Sequence, residues 1–287
     1  MITRLRWPAL ALVLLLVAGS LVLLWPKGEE PEPQQVPAAA VPEHTVVGTS
    51  VEGRPIDAYT YGSGPKHILF VGGIHGGYEW NSTLLAREVM EYLAAKPNRI
   101  PKDVSITIVP SANPDGLHKV VGTTEPFAAS DVVATDAQQA AGRFNANQVD
   151  LNRNFDCKWQ PTATWRGVEV SAGSAPFSEP EARAVRDLVL AHKPVLVVFW
   201  HSQANAVYAS ECEGGILAAT RAGMSAYATA AGYTAVDRFD AYPVTGDAEG
   251  WLASIGVPAI TVELSSHEGI DWEKNLAGVK ALLSLPW

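Results

Sequence analysis

The chain is short of cysteine and of positive charge, and each shortage closes off a class of function. Two cysteines, Cys157 and Cys212, stand in 287 residues, too few for a cysteine-rich structural zinc site. Lys and Arg number 21 against 30 Asp and Glu, a formal net charge of -9, which argues against non-specific nucleic-acid binding through basic patches. A small substrate stays open, because a local pocket can oppose the global sign. No internal repeat at solenoid periods is visible.

What is present is ordinary for a globular protein, 47% hydrophobic and 18% charged, with enough apolar residues for a sizeable core. The N-terminus departs from this. Arg4 and Arg6 precede an uncharged apolar run from Trp7 to Trp25, about nineteen residues and near the length that spans a bilayer. Basic residues before it and Glu29, Glu30 and Glu32 after it predict the N-terminus inside and the rest outside. An uncleaved anchor is favoured over a cleaved signal segment, because the Ala38–Ala40 stretch lies far beyond the apolar core. No cysteine follows the run to take a lipid. Residues 26–44, rich in Pro, Glu, Gln and Ala, read as an extended linker, and residues 45–287 as the folded domain. In an outward-facing domain the two cysteines suggest one disulfide, with two buried thiols as the alternative.

From Thr45 strand and helix signals alternate. Short β-like runs, 45–51 and 56–61, flank a turn at Glu52-Gly53-Arg54-Pro55. Residues 67–73 read as a buried strand, 82–95 as a helix and 104–109 as a strand. Asn113-Pro114-Asp115-Gly116 reads as a turn, followed by a long polar stretch to about Gln148 without periodic signals. Ser178 with Glu181 predicts a capping box opening a helix to His192. Residues 195–200 form an apolar strand, 215–231 and 248–254 helices, 259–262 a strand, and 272–283 a closing helix. Apolar strands alternating with helices imply an α/β fold: a mixed, mostly parallel twisted sheet with helices on both faces, preceded by an N-terminal transmembrane or signal helix.

In such sheets ligands bind at the carboxyl ends of the strands. His75, His201 and Glu263 all fall at or just past such an end. Catalytic zinc needs three His or carboxylate ligands and an open position for water; His75, Glu79 and His201 supply two imidazoles and a carboxylate. Glu263 is placed to move a proton from water to a leaving amine. Arg143 and Arg153 are available to a developing oxyanion, and Asp150 to the second nitrogen of a ligand histidine.

The segments Gly73-Ile74-His75…Glu79-Trp80, Asn113-Pro114-Asp115-Gly116, Val149-Asp150-Leu151-Asn152-Arg153-Asn154-Phe155, His201-Ser202 and Thr261-Val262-Glu263-Leu264, in this order, resemble the zinc carboxypeptidase family from about Thr45 onward. The resemblance implies one Zn2+ ion on His75, Glu79 and His201, with Glu263 as general base and Arg143 polarising the scissile carbonyl. It implies that Asn152 and Arg153 hold the terminal carboxylate of a peptide substrate, that Tyr242 caps it, and that Asp150 supports a ligand histidine. One departure is plain: the family's first motif is His-x-x-Glu, and here it is His-x-x-x-Glu, with Tyr78 at the usual ligand position. Gly76 and Gly77 would let the turn bulge and return Glu79 to the metal.

The other histidines (His44, His67, His118, His192, His267) read as satisfied polar residues, His267 being the substitute ligand nearest Glu263 in sequence. Asn81-Ser82-Thr83 matches a glycosylation acceptor but reads as a helix cap. Asp247 and Glu249 either line a pocket for an amine-bearing side chain or favour a helix dipole. The functional expectation is a membrane-anchored, outward-facing zinc carboxypeptidase acting on a peptide with a free C-terminal carboxylate, a cell-wall peptide among the candidates. The alternatives are a zinc amidohydrolase of small N-acyl amino acids and a catalytically silent peptide-binding module.

Overall fold

A computed structural model describes residues 41–287; the expected anchor (1–25) and the linker up to residue 40 lie outside them. Among the described residues no helix is long and apolar enough to cross a membrane.

Eight strands form one sheet: β1 (Glu43–Thr49), β2 (Pro55–Gly62), β3 (Lys66–Val71), β4 (Val104–Val109), β7 (Leu196–Ser202), β8 (Ala206–Ala209), β9 (Thr234–Val236) and β10 (Ala259–Leu264). Their order is β1-β2-β4-β3-β7-β10-β8-β9. The centre is parallel, β4 with β3, β3 with β7 and β7 with β10, whereas β1, β2 and β8 pair antiparallel. The remaining strands, β5 (Thr162–Trp165) and β6 (Val168–Ser171), make a separate hairpin.

Successive side chains of a strand point to opposite faces, so the near-continuous apolar strands supply two cores at once. Ile68 and Phe70 of β3 and Leu196, Val198 and Trp200 of β7 pack under α1 (Trp80–Ala95), α5 (Ala218–Ala231) and α7 (Trp272–Leu283). Leu69, Val71, Val197 and Phe199 pack on the other face under α4 (Pro180–His192) and α6 (Ala248–Ser254). This second core also contains the Cys157–Cys212 disulfide, the first of the two readings of the cysteines. His201 continues the odd-numbered series of β7, and Glu263 that of Ala259 on β10. Both therefore point to the α6 face.

Three local expectations need correction. Asn113-Pro114-Asp115-Gly116 opens α2 (Pro114–Val121) instead of making a free turn: the Asn113 side chain accepts from Gly116 N at 2.9 Å, and Pro114 occupies the first turn. The residues that favour a turn are also those that cap a helix. The stretch after it contains α3 (Asp136–Ala141), capped by Thr135. The capping box at Ser178 does not form. Ser178 bonds Glu179 and Asn154 instead, and Glu181 accepts from Val51 N and Asn145, because α4 docks on the β1–β2 turn and the 145–154 segment.

Candidate active site

The turn after β3 carries the first two chemical groups. Gly76 takes a left-handed φ of 48°, and residues 76–79 close a 3₁₀ turn in which Gly76 N donates to Gly73 O and Tyr78 N to His75 O, at 3.0 and 3.1 Å. A Cβ on Gly77 would stand 2.4 Å from the Val120 side chain, and one on Gly76 2.6 Å from Gly142 O. Only glycine lets the turn settle on α2 and the end of α3. The turn absorbs the extra residue of His-x-x-x-Glu and brings Glu79 back beside His75.

His201 comes from β7, and the parallel register pairs it with Glu263 of β10. Strand alternation thus sets imidazole and carboxylate side by side on one face. Ligand atoms of His75, Glu79 and His201 lie within 4.8 Å of one another, all three residues buried; Glu79 Oε2 is 3.0 Å from His201 Nδ1. Donors on one tetrahedral zinc stand about 3.4 Å apart, so small side-chain movements close this set on one ion. The donor set, two imidazoles and a carboxylate, is that of catalytic zinc. Buried Glu263 Oε2 has no hydrogen-bond partner within the protein, which leaves it free to meet a substrate.

Asp150, fully buried, ties the surroundings together. It accepts from Arg143 Nε at 2.9 Å and from Asn152 N at 3.2 Å, and stands 3.5 Å from His75 Nδ1. Arg143 Nη1 lies 3.8 Å from Glu79, with the guanidinium 4.6 Å over the Trp165 ring. Asn152 Oδ1 accepts from Ala248 N at 2.8 Å, which leaves its Nδ2 to donate outward. Arg153 is buried with Nε unpaired. Tyr242 sits on the loop before α6, edge-on to Phe239 at 4.8 Å. Arg143, Asn152, Arg153, Trp165, Phe239 and Tyr242 line one cavity of about 1090 Å³ with His75, Glu79, His201 and Glu263.

Burial pushes the Glu263 carboxyl up to about 7, and the neighbouring Glu79 charge adds to this. His75 is held well below its ordinary value by burial and the Arg143 charge, and so is neutral. For His201 burial acts against the charged form, but Glu79 and Glu249 outweigh it and raise the imidazole.

Two arrangements escaped the sequence reading, although Asp247 and Glu249 were already named there as candidates to line a pocket. Glu249 Oε1 lies 3.2 Å from His201 Nε2 and accepts from Thr261 Oγ1 at 2.9 Å; its placement depends on α6 crossing β7, which no local pattern announces. Asp247 caps α6 by accepting from Gly250 N, and both acids line the cavity. The second is a chain of polar groups at the cavity wall. Tyr78 Oη is 3.1 Å from His267 Nε2, His267 Nδ1 is 2.7 Å from Ser202 Oγ, and Ser202 donates to Asn81 Oδ1 at 3.1 Å. His267 is thus a hydrogen-bonded wall residue. Asn81 is buried, with its amide committed to Ser266 O and Gly269 O, and its side chain does not cap α1.

Comparison with known proteins places this geometry. The zinc carboxypeptidase family model matches residues 38–272. Gamma-D-glutamyl-L-diamino acid endopeptidase 1 of Lysinibacillus sphaericus is 28% identical over 184 residues, 57% of this chain and 46% of that one. Carboxypeptidase B of Astacus astacus is 28% identical over 162 residues, covering 53% and 51%. The chain spans about half the length of these curated relatives. The fold is shared with murein-tripeptide amidase from Escherichia coli O157, at TM-score 0.64 and 23% identity over 88% of this chain and 97% of that one.

Proposed function

The chain belongs to the zinc carboxypeptidase family, and on that premise we propose that it hydrolyses the bond before the C-terminal residue of a peptide, with cell-wall peptides as the substrate class. The observation that carries the reading is the convergence of His75, Glu79 and His201 beside Glu263, in one cavity with Arg153 and Asn152. The cell-wall assignment draws on the L. sphaericus relative, which is named for a gamma-D-glutamyl-diamino acid bond.

The family's cofactor is zinc, and His75, Glu79 and His201 are the residues that would hold one ion; bound there, it supplies Lewis acidity and lowers the pKa of water. Arg153 and the free Nδ2 of Asn152 bind the terminal carboxylate, the arginine by two parallel charge-assisted bonds. Arg143, held by Asp150, turns its remaining N–H groups to the carbonyl oxygen as negative charge grows there. Glu263 takes the proton of the attacking water; as the C–O bond forms and the C–N bond breaks, that proton passes to the leaving amine. A carboxyl near 7 suits both directions of transfer. Asp150 supports His75 and Glu249 supports His201, which steadies the ligand rings. Tyr242 closes over the terminal residue.

The apolar run 7–25 and the Cys157–Cys212 disulfide support an extracytoplasmic catalytic domain anchored through its N-terminus; a reporter fused after residue 44 that is active only in the cytoplasm would refute this if it stayed active. The enzymatic reading is tested by zinc analysis and amino-acid release. One zinc per chain and chelator-sensitive release of C-terminal residues from peptides, faster than from N-acyl amino acids, are expected. Protein without zinc and without release would end it.

A further inference from the structure

Two arginines of the cavity, Arg153 and Arg166, have no acidic partner among the described residues, whereas Arg143 is paired with Asp150 and Glu79. An unpaired arginine facing a cleft is a carboxylate site in waiting. Arg153 is the terminal-carboxylate clamp already described; Arg166 has no such assignment.

Arg166 sits at the tip of the β5–β6 hairpin, where Trp165 pairs with Val168 and only Arg166 and Gly167 form the turn. Their φ values are 51° and 78°, the two left-handed positions of a type I′ turn, which favours Asn-Gly or Gly-Gly. An arginine there costs about 1 kcal/mol or more relative to a right-handed conformation. A residue kept in such a conformation at the mouth of a cleft points to a use for its side chain. The Arg166 guanidinium carbon lies 5.9 Å from the Trp165 ring centroid, and Trp165 in turn packs edge-on to Tyr78 at 5.0 Å.

The polar chain behind Tyr78 determines what its phenol offers. Asn81 spends both amide hydrogens on Ser266 O and Gly269 O, so its Oδ1 can only accept, and Ser202 must donate to it. Ser202 has one hydrogen; its oxygen therefore accepts from His267 Nδ1–H. Neutral His267 then has a bare Nε2, which accepts the Tyr78 hydroxyl hydrogen. Burial holds His267 below its ordinary value, in keeping with the neutral ring. The Tyr78 oxygen is left as an acceptor, and the Arg166 cation, which lines the same cavity, is a donor of matching charge. The extra residue of His-x-x-x-Glu is what puts this tyrosine in the wall.

The clamp residues Asn152 and Arg153 are held beside α6, through Ala248 N at its start and through Gly246, whose added Cβ would meet Arg153 O at 2.2 Å, whereas Arg166 belongs to the tip of the β5–β6 hairpin. We propose that Arg166, seated by Tyr78 and Trp165, binds a second carboxylate of the substrate, carried by the residue on the N-terminal side of the cleaved bond. A glutamyl residue joined through its side-chain carboxyl has such a group, a free α-carboxylate, near the bond; so does an α-linked glutamyl residue, with its carboxylate on a side chain. The inference rests on the peptide-hydrolase reading and names the substrate chemistry within it.

The test is a set of peptides ending in one common residue. The preceding residue is γ-linked glutamate with a free α-carboxylate, the same unit with an α-carboxamide, or α-linked glutamate. Wild-type enzyme is expected to favour free carboxylate over carboxamide in kcat/KM by roughly 10- to 100-fold, the worth of a hydrogen bond to a charged group. Arg166→Gln should bring that ratio close to one, and Tyr78→Phe should lower it in the same direction by a smaller factor. Because Arg166 is exposed on a hairpin tip, its replacement leaves the fold intact. The γ-linked over α-linked ratio says which carboxylate the site prefers. Equal cleavage of carboxylate and carboxamide by the wild type, or a preference that survives Arg166→Gln, overturns the proposal and leaves the hydrolase reading standing. Failure to cut any of the three overturns both.

Discussion

Replacing Asp150 by Asn removes one negative charge at the point where the proposed metal ligands, the proposed oxyanion group and the proposed carboxylate clamp meet. Asp150 is fully buried and Arg143 nearly so. After the substitution the guanidinium keeps only Glu79 at 3.8 Å as a charged partner, and Glu79 is one of the three groups proposed to hold the metal. Breaking a buried ion pair from one side costs about 3–5 kcal/mol. Asparagine keeps one acceptor oxygen for Arg143, which puts the expectation at the low end, about 3 kcal/mol, or some 6–12 °C in Tm for a domain of this size. Its amide nitrogen cannot also serve His75 as an acceptor, so zinc affinity should fall about 10- to 100-fold, as for other lost supports of a ligand imidazole. Calorimetry of the chelator-treated protein reads the first effect, and competition with a chromophoric chelator the second. A lower Tm with unchanged zinc affinity would reduce Asp150 to a partner of Arg143. An unchanged Tm would refute the buried pair itself.

Glu263→Gln is expected to lower kcat by about 10²–10⁴ at unchanged zinc content, the range of a lost general base; full activity would remove Glu263 from the mechanism. Burial lowers the His67 imidazole to about 4, beside His192 and bonded to Thr107 Oγ1. The unfolded chain takes up its proton near 6.5 and the folded chain only near 4, so this residue's contribution to stability is complete above the first value, falls between the two, and is flat below the second. Urea midpoints against pH should slope less over that window in His67→Asn than in the wild type, and identical slopes would contradict the assignment. The Cys157–Cys212 bridge closes a separation of 55 residues, for which chain entropy gives about 4 kcal/mol; a Cys157→Ser, Cys212→Ser variant that unfolds at the wild-type urea concentration would show the bridge to be idle.

The strands and helices that carry chemistry were readable because their hydrophobic pattern is strong. Leu196 to Trp200 can only be buried, and His201 and Glu263 stand at the first ionisable positions after such runs. The expectation that His75, His201 and Glu263 share one edge follows from that placement, and the parallel register of β7 with β10 is its physical form. Less visible was the segment 114–148, where the same Asn-Pro-Asp-Gly residues suit a turn or a helix cap and the choice depends on what the helix packs against. The short strands β8 and β9 and the β5–β6 hairpin were missed because three or four residues carry too little pattern to mark a strand.

By itself the sequence determined the residue types of the site, their order, and the strand ends that hold them, since local hydrophobic period and the chemistry of His and Glu need no partner to be recognised. Only the tertiary structure decided that the lengthened first motif returns Glu79 to its histidines, that Glu249 stands behind His201, and that Tyr78 and Arg166 face the same cleft. Those are distances between groups from separate elements. They are set by how a glycine turn settles on α2, how α6 crosses the sheet and where a hairpin tip lands, and none of these is a property of neighbours along the chain.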